Sequence, residues 1–221
     1  MGGEDARHLL TVLRARPGDP LSLSDGAGTR WQARLAEAGS GEVVVDLVDR
    51  VLVPRPVPRL AVVHALPTRR KLDDVVQRLV EVGVDRILPV HSERSQVRLE
   101  AARAARASVR WNAVAEAAAK QSRRVWLPVV EPVGEWTTAF PVGVAGVVLW
   151  EESDVALRTV LDGLAGEPDL VLGVGPEGGL TAAEVRASGL AHATMGETVL
   201  RTETAALVAV SALRYHFGLM A

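Results

Sequence analysis

The chain has 221 residues, a net charge of −2 and 48% hydrophobic residues, which is enough to bury a core in one large or two small domains. It contains no cysteine, which excludes disulfide bonds and thiolate metal sites. The sequence shows no secretory signal pattern and no apolar run of membrane-spanning length, so we expect a soluble, cytoplasmic protein.

The charges are distributed unevenly along the chain. Residues 1–125 contain 21 of the 25 Lys and Arg residues and 15 of the 27 Asp and Glu residues, whereas residues 126–221 contain 4 basic and 12 acidic residues. A basic first half suits a polyanionic partner, of which RNA is the obvious candidate. Solvated arginines on helix faces explain the same counts equally well.

The first part of the chain has the pattern of a small all-β domain. Residues 21–23, 31–35 and 43–48 predict strands, separated by turns at residues 24–28 and 39–41. Residues 8–14 predict a short helix ahead of them. We therefore predict a small β-barrel, which has too little structure to be very stable alone.

Three prolines mark the end of this region. Pro54, Pro56 and Pro58 each fix φ and remove a backbone donor, so they predict a stiff, extended connector. We expect residues 1–57 to form a first domain and residues 58–221 to form a second one.

The second part alternates between apolar strands and helical patterns. Strands are predicted at residues 60–65, 87–90, 144–150, 170–172 and 191–195, and helices at residues 71–82, 99–121, 155–164 and 204–217. Thr181 and Glu184 have the spacing of a capping box, which predicts one more helix. Such alternation predicts an α/β fold in which a parallel sheet is covered by helices on both faces.

A glycine-rich turn, residues 173–179, follows one predicted strand. Gly173, Gly175 and Gly178 match the G-x-G-x-x-G spacing of dinucleotide-binding loops. That motif needs free N–H groups aimed at phosphate, but Pro176 has none and Glu177 would place a carboxylate there. The turn therefore favours a ligand without phosphate, such as the sulfonium compound S-adenosylmethionine. A tight connection whose glycines only satisfy turn geometry is the alternative.

A second loop, at residues 196–205, is dense in polar side chains. Arg201, Glu203 and Thr204 lie between a strand and an apolar helix, where Thr204 could act as the helix cap. Two glycine-bearing loops at the ends of strands predict a cradle for a ligand.

Together the two loops resemble the paired signature of a known family. Residues 175–181 (GPEGGLT) and 195–205 (MGETVLRTETA) resemble the RsmE family of 16S ribosomal RNA uridine-N3 methyltransferases, in the SPOUT superfamily. Further matching segments extend the resemblance over essentially the whole chain. It implies a PUA-like RNA-binding β-barrel, then a SPOUT α/β domain with a C-terminal trefoil knot, and a homodimer whose interface lies beside the ligand.

The resemblance also implies a set of site residues. S-adenosylmethionine would contact, mainly through the main chain, Leu149, Trp150, Gly173, Gly175, Pro176, Glu177, Gly178, Gly179, Met195, Gly196, Val199, Leu200, Thr204 and Ala205. Arg201 and Arg94 are candidates to hold the uracil anion or an adjoining phosphate. Glu203 or Glu177 could accept the N3 proton, or could only organise its loop.

Exposed arginines are the candidates for contacts with RNA phosphates. In the first domain these are Arg7, Arg14, Arg16 and Arg30. Arg103, Arg106, Arg110, Arg123 and Arg124 could extend that surface, although their helical spacing equally suits a solvated face. The histidines show no metal-ligand spacing, so no metal is implied.

The function expected from these features is S-adenosylmethionine-dependent methylation of a uridine N3 atom in the 16S ribosomal RNA of the 30S subunit. Two alternatives stay open: an enzyme of the same fold that methylates a ribose 2′-hydroxyl or another base, and a non-catalytic RNA-binding module. A dinucleotide oxidoreductase is a more distant third.

Overall fold

The computed structural model describes residues 1–39, 41–68 and 71–220, so Ser40 of the predicted second turn lies outside the described residues. The chain divides into two compact units, Met1–Arg55 and Pro56–Ala221. The division falls within the proline-bearing segment that predicts a connector. None of the helices in the described ranges has the length and hydrophobicity needed to cross a lipid bilayer.

The first unit is a small antiparallel sheet preceded by a helix. Helix α1 (Gly3–Arg7) continues into a π-helical turn (His8–Val12), so the helix begins earlier than the predicted residue 8. Strands β1 (Pro20–Ser24), β2 (Thr29–Ala38) and β3 (Val43–Leu52) pair in the order β1-β2-β3. All three predicted strands are confirmed. The pairings form an open sheet, and its closure into a barrel stays a prediction.

The second unit is built on a parallel sheet. Its strands are β4 (Arg59–Ala65), β5 (Arg86–His91), β6 (Val129–Val130), β7 (Gly134–Glu135), β8 (Ala145–Leu149), β9 (Asp169–Val174) and β10 (Ala191–Ala193). The order is β10-β8-β9-β4-β5-β6, with β7 also paired to β5, and every pairing is parallel. The predicted parallel sheet is therefore confirmed.

Helices cover both faces of this sheet. They are α2 (Lys71–Glu81), α3 (Ala101–Gln121), α4 (Leu157–Asp162), α5 (Ala182–Ser188) and α6 (Thr202–His216), with a 3₁₀ turn at Trp136–Thr138. Successive residues of a strand point to opposite faces. Accordingly, Val62 of β4 packs in one core cluster with α2, α3 and α6, whereas Val63 packs in another with Trp136 and Val185 of α5.

The two C-terminal helices begin in different ways. The side chain of Thr181 accepts a hydrogen bond from the Glu184 N–H, and the Glu184 side chain bonds back to the Thr181 N–H, so the predicted capping box is confirmed. By contrast, α6 begins at Thr202 with Arg201 in the N-cap position and no side-chain cap. The prediction that Thr204 caps this helix is wrong, because Thr204 lies inside its first turn.

Candidate functional site

Three loops leave the sheet at the carboxyl ends of neighbouring strands, the edge where open α/β sheets bind ligands. We call them the first loop (residues 150–156, after β8), the glycine loop (residues 175–181, after β9) and the C-terminal loop (residues 194–201, after β10). Hydrogen bonds join the first and last of them. The Trp150 N–H donates to the Ala193 carbonyl at 2.9 Å, and the Leu157 N–H donates to the Thr194 carbonyl at 3.0 Å.

Close packing requires several residues of the glycine-rich turn to be glycine. A Cβ on Gly175 would lie 2.8 Å from Cγ of Leu180. Gly179 has a φ of +71°, and a Cβ there would lie 2.1 Å from Oε1 of Glu151 in the first loop. Gly173 lies inside β9 rather than in the predicted turn, and a Cβ there would clash with a β8 side chain. Turn and packing geometry therefore explain these glycines without a ligand.

The glycine loop is tied to the start of α2 through the carboxylate of Glu177. Its Oε1 accepts hydrogen bonds from the Thr68 N–H at 3.0 Å and from the Thr68 hydroxyl at 2.6 Å. Nζ of Lys71 lies 3.3 Å from the same oxygen and 3.2 Å from Oε1 of Glu203 on α6. We call Lys71, Glu177 and Glu203 the lysine clasp, because one ammonium joins two carboxylates from different elements.

Both carboxylates of the lysine clasp are held in the ionised form. Partial burial opposes ionisation of Glu177, but hydrogen bonds from Thr68 and Lys71 outweigh it and lower the pKa of this carboxyl. Burial also opposes ionisation of Glu203, yet its backbone hydrogen bond and the nearby Lys71 and Arg201 charges lower its pKa. A carboxylate with a lowered pKa is a weak proton acceptor, so this geometry favours an organising role for both side chains.

A second contact fixes the glycine loop to the start of α6. The hydroxyl of Thr202 donates to the carbonyl of Gly175 at 2.5 Å, and Thr202 itself is only 5% exposed. This bond satisfies a loop carbonyl in the interior. It also places the N-terminus of α6 directly against the loop.

A buried histidine lies close to the lysine clasp. His64, near the end of β4, is completely buried, and its Nδ1 lies 2.7 Å from the Ala65 carbonyl. Burial lowers the pKa of His64, so the ring is neutral at physiological pH. Within the described parts of the chain, its Nε2 makes no hydrogen bond. The side chain therefore acts as a neutral spacer in the core of the second unit.

The C-terminal loop is much more open than the glycine loop. Gly196 has a φ of +111°, and a Cβ built on it would meet no atom within 4 Å. Val199 is 89% exposed. Over the described ranges, the N–H groups of residues 197–200 donate no hydrogen bond. This loop therefore offers main-chain donors and an apolar side chain to a ligand.

A cleft of about 840 Å³ opens between α4, α6 and the C-terminal loop. Met195 and Gly196, two of the predicted cofactor residues, line it together with Tyr215 and other residues of α4 and α6. The glycine loop does not contribute to this lining. The sequence therefore predicts three clustered loops, but the cleft itself is walled on one side by helices that the sequence does not single out.

The predicted catalytic arginines lie on two different loops. Arg94 follows β5, and its guanidinium donates to the Gly178 carbonyl at 3.2 Å, so it reaches the glycine loop. Arg201 is exposed at the end of the C-terminal loop. Glu203 follows it in the first turn of α6, with Thr204 and Ala205 beside it.

The remaining basic candidates differ in their surroundings. Arg7, Arg14, Arg16 and Arg30 are all exposed. Arg124 is not part of a basic surface, because its guanidinium is only 13% exposed and donates to the Val80 carbonyl and to Asp85. The suggestion that Arg124 extends an RNA-binding surface is therefore wrong: the side chain holds the end of α3 to the β4–β5 region.

Sequence reasoning missed Thr68, Lys71, Thr202 and His64. Thr68 follows the end of β4, and a polar residue directly after an apolar strand is a usable signal. Lys71 lies 106 and 132 residues from its two carboxylate partners, so no local pattern could have revealed the lysine clasp.

Comparison with known families gives matches over both units. Residues 54–214 match the model of an RNA methyltransferase domain, and residues 2–48 match that of an RNA methyltransferase PUA domain. The sequence is 35% identical to a ribosomal RNA small subunit methyltransferase E of Mycobacterium bovis, across 96% of this chain and 84% of that protein. It is 30% identical to the protein of the same name from Bacillus subtilis, across 99% and 90% of the two chains.

A similar structure has been solved with a ligand bound. A ribosomal RNA small subunit methyltransferase E from Neisseria gonorrhoeae, bound to S-adenosyl methionine, superposes with a TM-score of 0.83 and is 30% identical in sequence. The match covers 97% of this chain and 90% of that one. The similarity therefore extends over both units of the fold described above.

Proposed function

Because this chain belongs to the family of ribosomal RNA small subunit methyltransferases E, we propose that it transfers a methyl group from S-adenosylmethionine to the N3 atom of a uridine in 16S ribosomal RNA. The observation that carries the proposal is the meeting of three loops at adjacent strand ends, in a chain that matches the family over nearly its full length. The family relationship supplies the reaction, and the residues of the loops supply its local chemistry.

The residues of the three loops suit S-adenosylmethionine better than a phosphorylated ligand. Pro176 cannot donate a backbone hydrogen bond, and the ionised Glu177 would repel a phosphate. Free main-chain N–H groups at residues 197–200 can bind a nucleoside. We therefore keep as proposed cofactor contacts Leu149, Trp150, Gly173, Gly175, Pro176, Glu177, Gly178, Gly179, Met195, Gly196, Val199, Leu200, Thr204 and Ala205.

The reaction needs negative charge to be stabilised on the uracil ring. The N3 nitrogen loses its proton and attacks the methyl carbon, and the methyl–sulfur bond breaks to release neutral S-adenosylhomocysteine. Bound S-adenosylmethionine supplies the electrophilic methyl group. Arg201 lies at the N-terminus of α6, where its guanidinium and the helix dipole both favour an anion. Arg94 adds a second positive charge at the glycine loop.

Glu203 has a supporting role in this scheme. Because its carboxyl has a lowered pKa and pairs with Lys71, it is a weak base for the N3 proton. It instead holds α6, and with it Arg201, in place relative to the glycine loop. We propose that the proton leaves to solvent as the arginines stabilise the anion.

Further features of the family are part of the same proposal. The exposed Arg7, Arg14, Arg16 and Arg30 would contact phosphates of the RNA, in a first unit that closes as a PUA-like barrel. The segment from β8 to α6 would be threaded as a trefoil knot, since β9 lies between β8 and β4 and α6 returns to the glycine loop. A homodimer acting on the 30S subunit in the cytoplasm completes the proposal.

Transfer of a labelled methyl group to 30S subunits from a strain that lacks the modification tests this function. Mass spectrometry of the nucleosides should find the label on N3 of uridine. Arg201→Ala should reduce the rate by about 100-fold, as expected when a donor to a developing anion is removed. Arg186→Ala, which removes an exposed arginine of α5, is the matched control and should keep the wild-type rate.

Three outcomes would contradict the proposal. Label on a ribose 2′-hydroxyl or on another base would show a different reaction of the same fold. Absence of transfer by the wild-type protein would favour a non-catalytic RNA-binding module. Equal rates for Arg201→Ala and wild type would remove Arg201 from the reaction.

A further inference from the structure

A second pocket lies on the same carboxyl edge of the sheet, beyond the three loops. It has a volume of about 520 Å³ and lies where β4 and β5 end, between the starts of α2 and α3. Its floor is apolar and contains the buried side chains of Leu66, Leu72 and Trp111. Nothing in the proposed cofactor contacts uses this pocket.

Three guanidinium groups stand around this pocket. Arg103, Arg106 and Arg110 recur on one face of α3, at the helical spacing that aligns side chains along a helix. Arg110 is held in place by Asp73, at 3.0 Å, and lies 6.0 Å from the centre of the Trp111 ring. Arg103 and Arg106 have no carboxylate partner among the described residues. The pocket therefore carries a net positive charge.

The pocket is directly connected to the glycine loop. Pro67 lines it, and the next residue, Thr68, binds Glu177 of the glycine loop through both its N–H and its hydroxyl. On the other side, Val97 and Leu99 line it from the same connection that carries Arg94. A chain running along this edge of the sheet would therefore reach the glycine loop and the pocket in succession.

We propose that this pocket binds a nucleotide of the RNA that neighbours the methylated uridine, with its phosphodiester on Arg103 and Arg106 and its base or ribose on the apolar floor. The inference rests on the proposed function for the identity of the RNA. Unpaired guanidinium groups beside an apolar surface suit a ligand that is both anionic and partly apolar, as a single-stranded nucleotide is. Arg110, already paired with Asp73, keeps the floor residue Trp111 in position.

The test is RNA binding by the full chain, measured apart from methyl transfer. Fluorescence anisotropy with a single-stranded oligoribonucleotide at several salt concentrations compares wild type with Arg103→Gln/Arg106→Gln. The double variant should bind roughly tenfold more weakly, and the slope of log affinity against log salt should fall by about 2, one unit for each lost phosphate contact. The control, Lys120→Gln/Arg186→Gln, removes the same charge at the far end of α3 and on α5 and should bind as wild type does.

Two further measurements separate this role from misfolding and from failure of the proposed function. Heat of S-adenosylmethionine binding and thermal unfolding should be unchanged in Arg103→Gln/Arg106→Gln. With 30S substrate, KM should rise while kcat stays near the wild-type value. Wild-type affinity and salt slope in the double variant, equal losses in both double variants, or no RNA binding by the wild-type protein would each overturn the proposal. RNA binding without methyl transfer would leave the pocket supported and the proposed reaction refuted.

Discussion

The glycine loop and the C-terminal loop carry similar residues but are built differently. The glycine loop is fixed by close packing at Gly175 and Gly179, by the lysine clasp and by the hydroxyl of Thr202. The C-terminal loop has open space around Gly196 and main-chain donors with no partner in the described ranges. One loop is therefore a rigid wall, and the other is the part that a ligand can order.

This difference explains how a site can be both rigid and open. A wall that is held before the ligand arrives costs no ordering entropy when the ligand binds. A loop with unsatisfied donors gains its hydrogen bonds only from the ligand or from water. Mutations in the two loops should therefore affect different quantities: stability for the glycine loop, and ligand affinity for the C-terminal loop.

The largest expected effect is that of a methyl group added inside the rigid wall. Gly175→Ala places a Cβ 2.8 Å from Leu180, which should lower the free energy of unfolding by about 1–3 kcal/mol through overpacking. Gly196→Ala strains φ but meets no atom, so its open loop can relax and the loss should be smaller. Urea unfolding of both variants checks this, with Gly134→Ala, which has ordinary contact distances, as the control. Equal losses for Gly175→Ala and Gly196→Ala would mean that the two loops are equally rigid.

A change in pH should affect the rigid side through His64. A buried base with a lowered pKa takes up a proton more readily when unfolded, so its contribution to stability is complete above the ordinary pKa of 6.5 and is lost as the pH falls below it. His64→Asn keeps a side-chain donor for the Ala65 carbonyl but does not titrate. Between pH 6.5 and about pH 5, its unfolding free energy should fall less steeply than that of wild type, by up to about 1.4 kcal/mol per pH unit. Parallel curves would exclude His64 as the source of the pH dependence.

Breaking the lysine clasp should loosen the wall. Lys71→Met leaves Glu177 and Glu203 as neighbouring negative charges without their shared cation, which should cost about 1 kcal/mol of stability. The loss should shrink at high salt because salt screens the remaining repulsion. Lys120→Met, which breaks an exposed pair with Glu116, is the control and should change little. Thermal unfolding at two salt concentrations decides, and indistinguishable variants would show that the clasp does not hold the loop.

The smallest expected effect is that of the bond between the wall and α6. Thr202→Val keeps the shape of the side chain but removes the donor to the Gly175 carbonyl, which should cost about 1 kcal/mol or slightly less. Thr204→Val, one turn into the same helix and without such a bond among the described residues, controls for the change in helix propensity. Chemical unfolding measures both, and a larger loss for Thr204→Val would contradict the role given to Thr202.

Regular patterns carried the sequence predictions that the structure confirms. The core strands β4, β5, β8 and β9 are continuous apolar runs, and such runs are visible without any knowledge of the fold. The capping box of α5 is equally local, because Thr181 and Glu184 are three residues apart. By contrast, β6 and β7 have two residues each, which is too short for any periodicity to register.

Interactions between distant residues account for what the sequence did not reveal. The start of α6 depends on a bond from Thr202 to Gly175, so a local reading placed the cap at Thr204 instead. The spacing of Arg124 suited a solvated helix face, and only the structure shows that its guanidinium is taken up by backbone carbonyls and Asp85. The basic pocket likewise depends on β4, β5 and α3 meeting, which the helical spacing of its arginines could not decide.

Calorimetric titration of the full chain with S-adenosylmethionine tests the central claim most directly, namely that these two loops hold a sulfonium nucleoside. The account predicts binding by the wild-type protein, a weaker affinity for Gly196→Ala, whose change lies in the ligand-ordered loop, and no heat with NAD. Absence of heat with S-adenosylmethionine, or binding of NAD in its place, would contradict it.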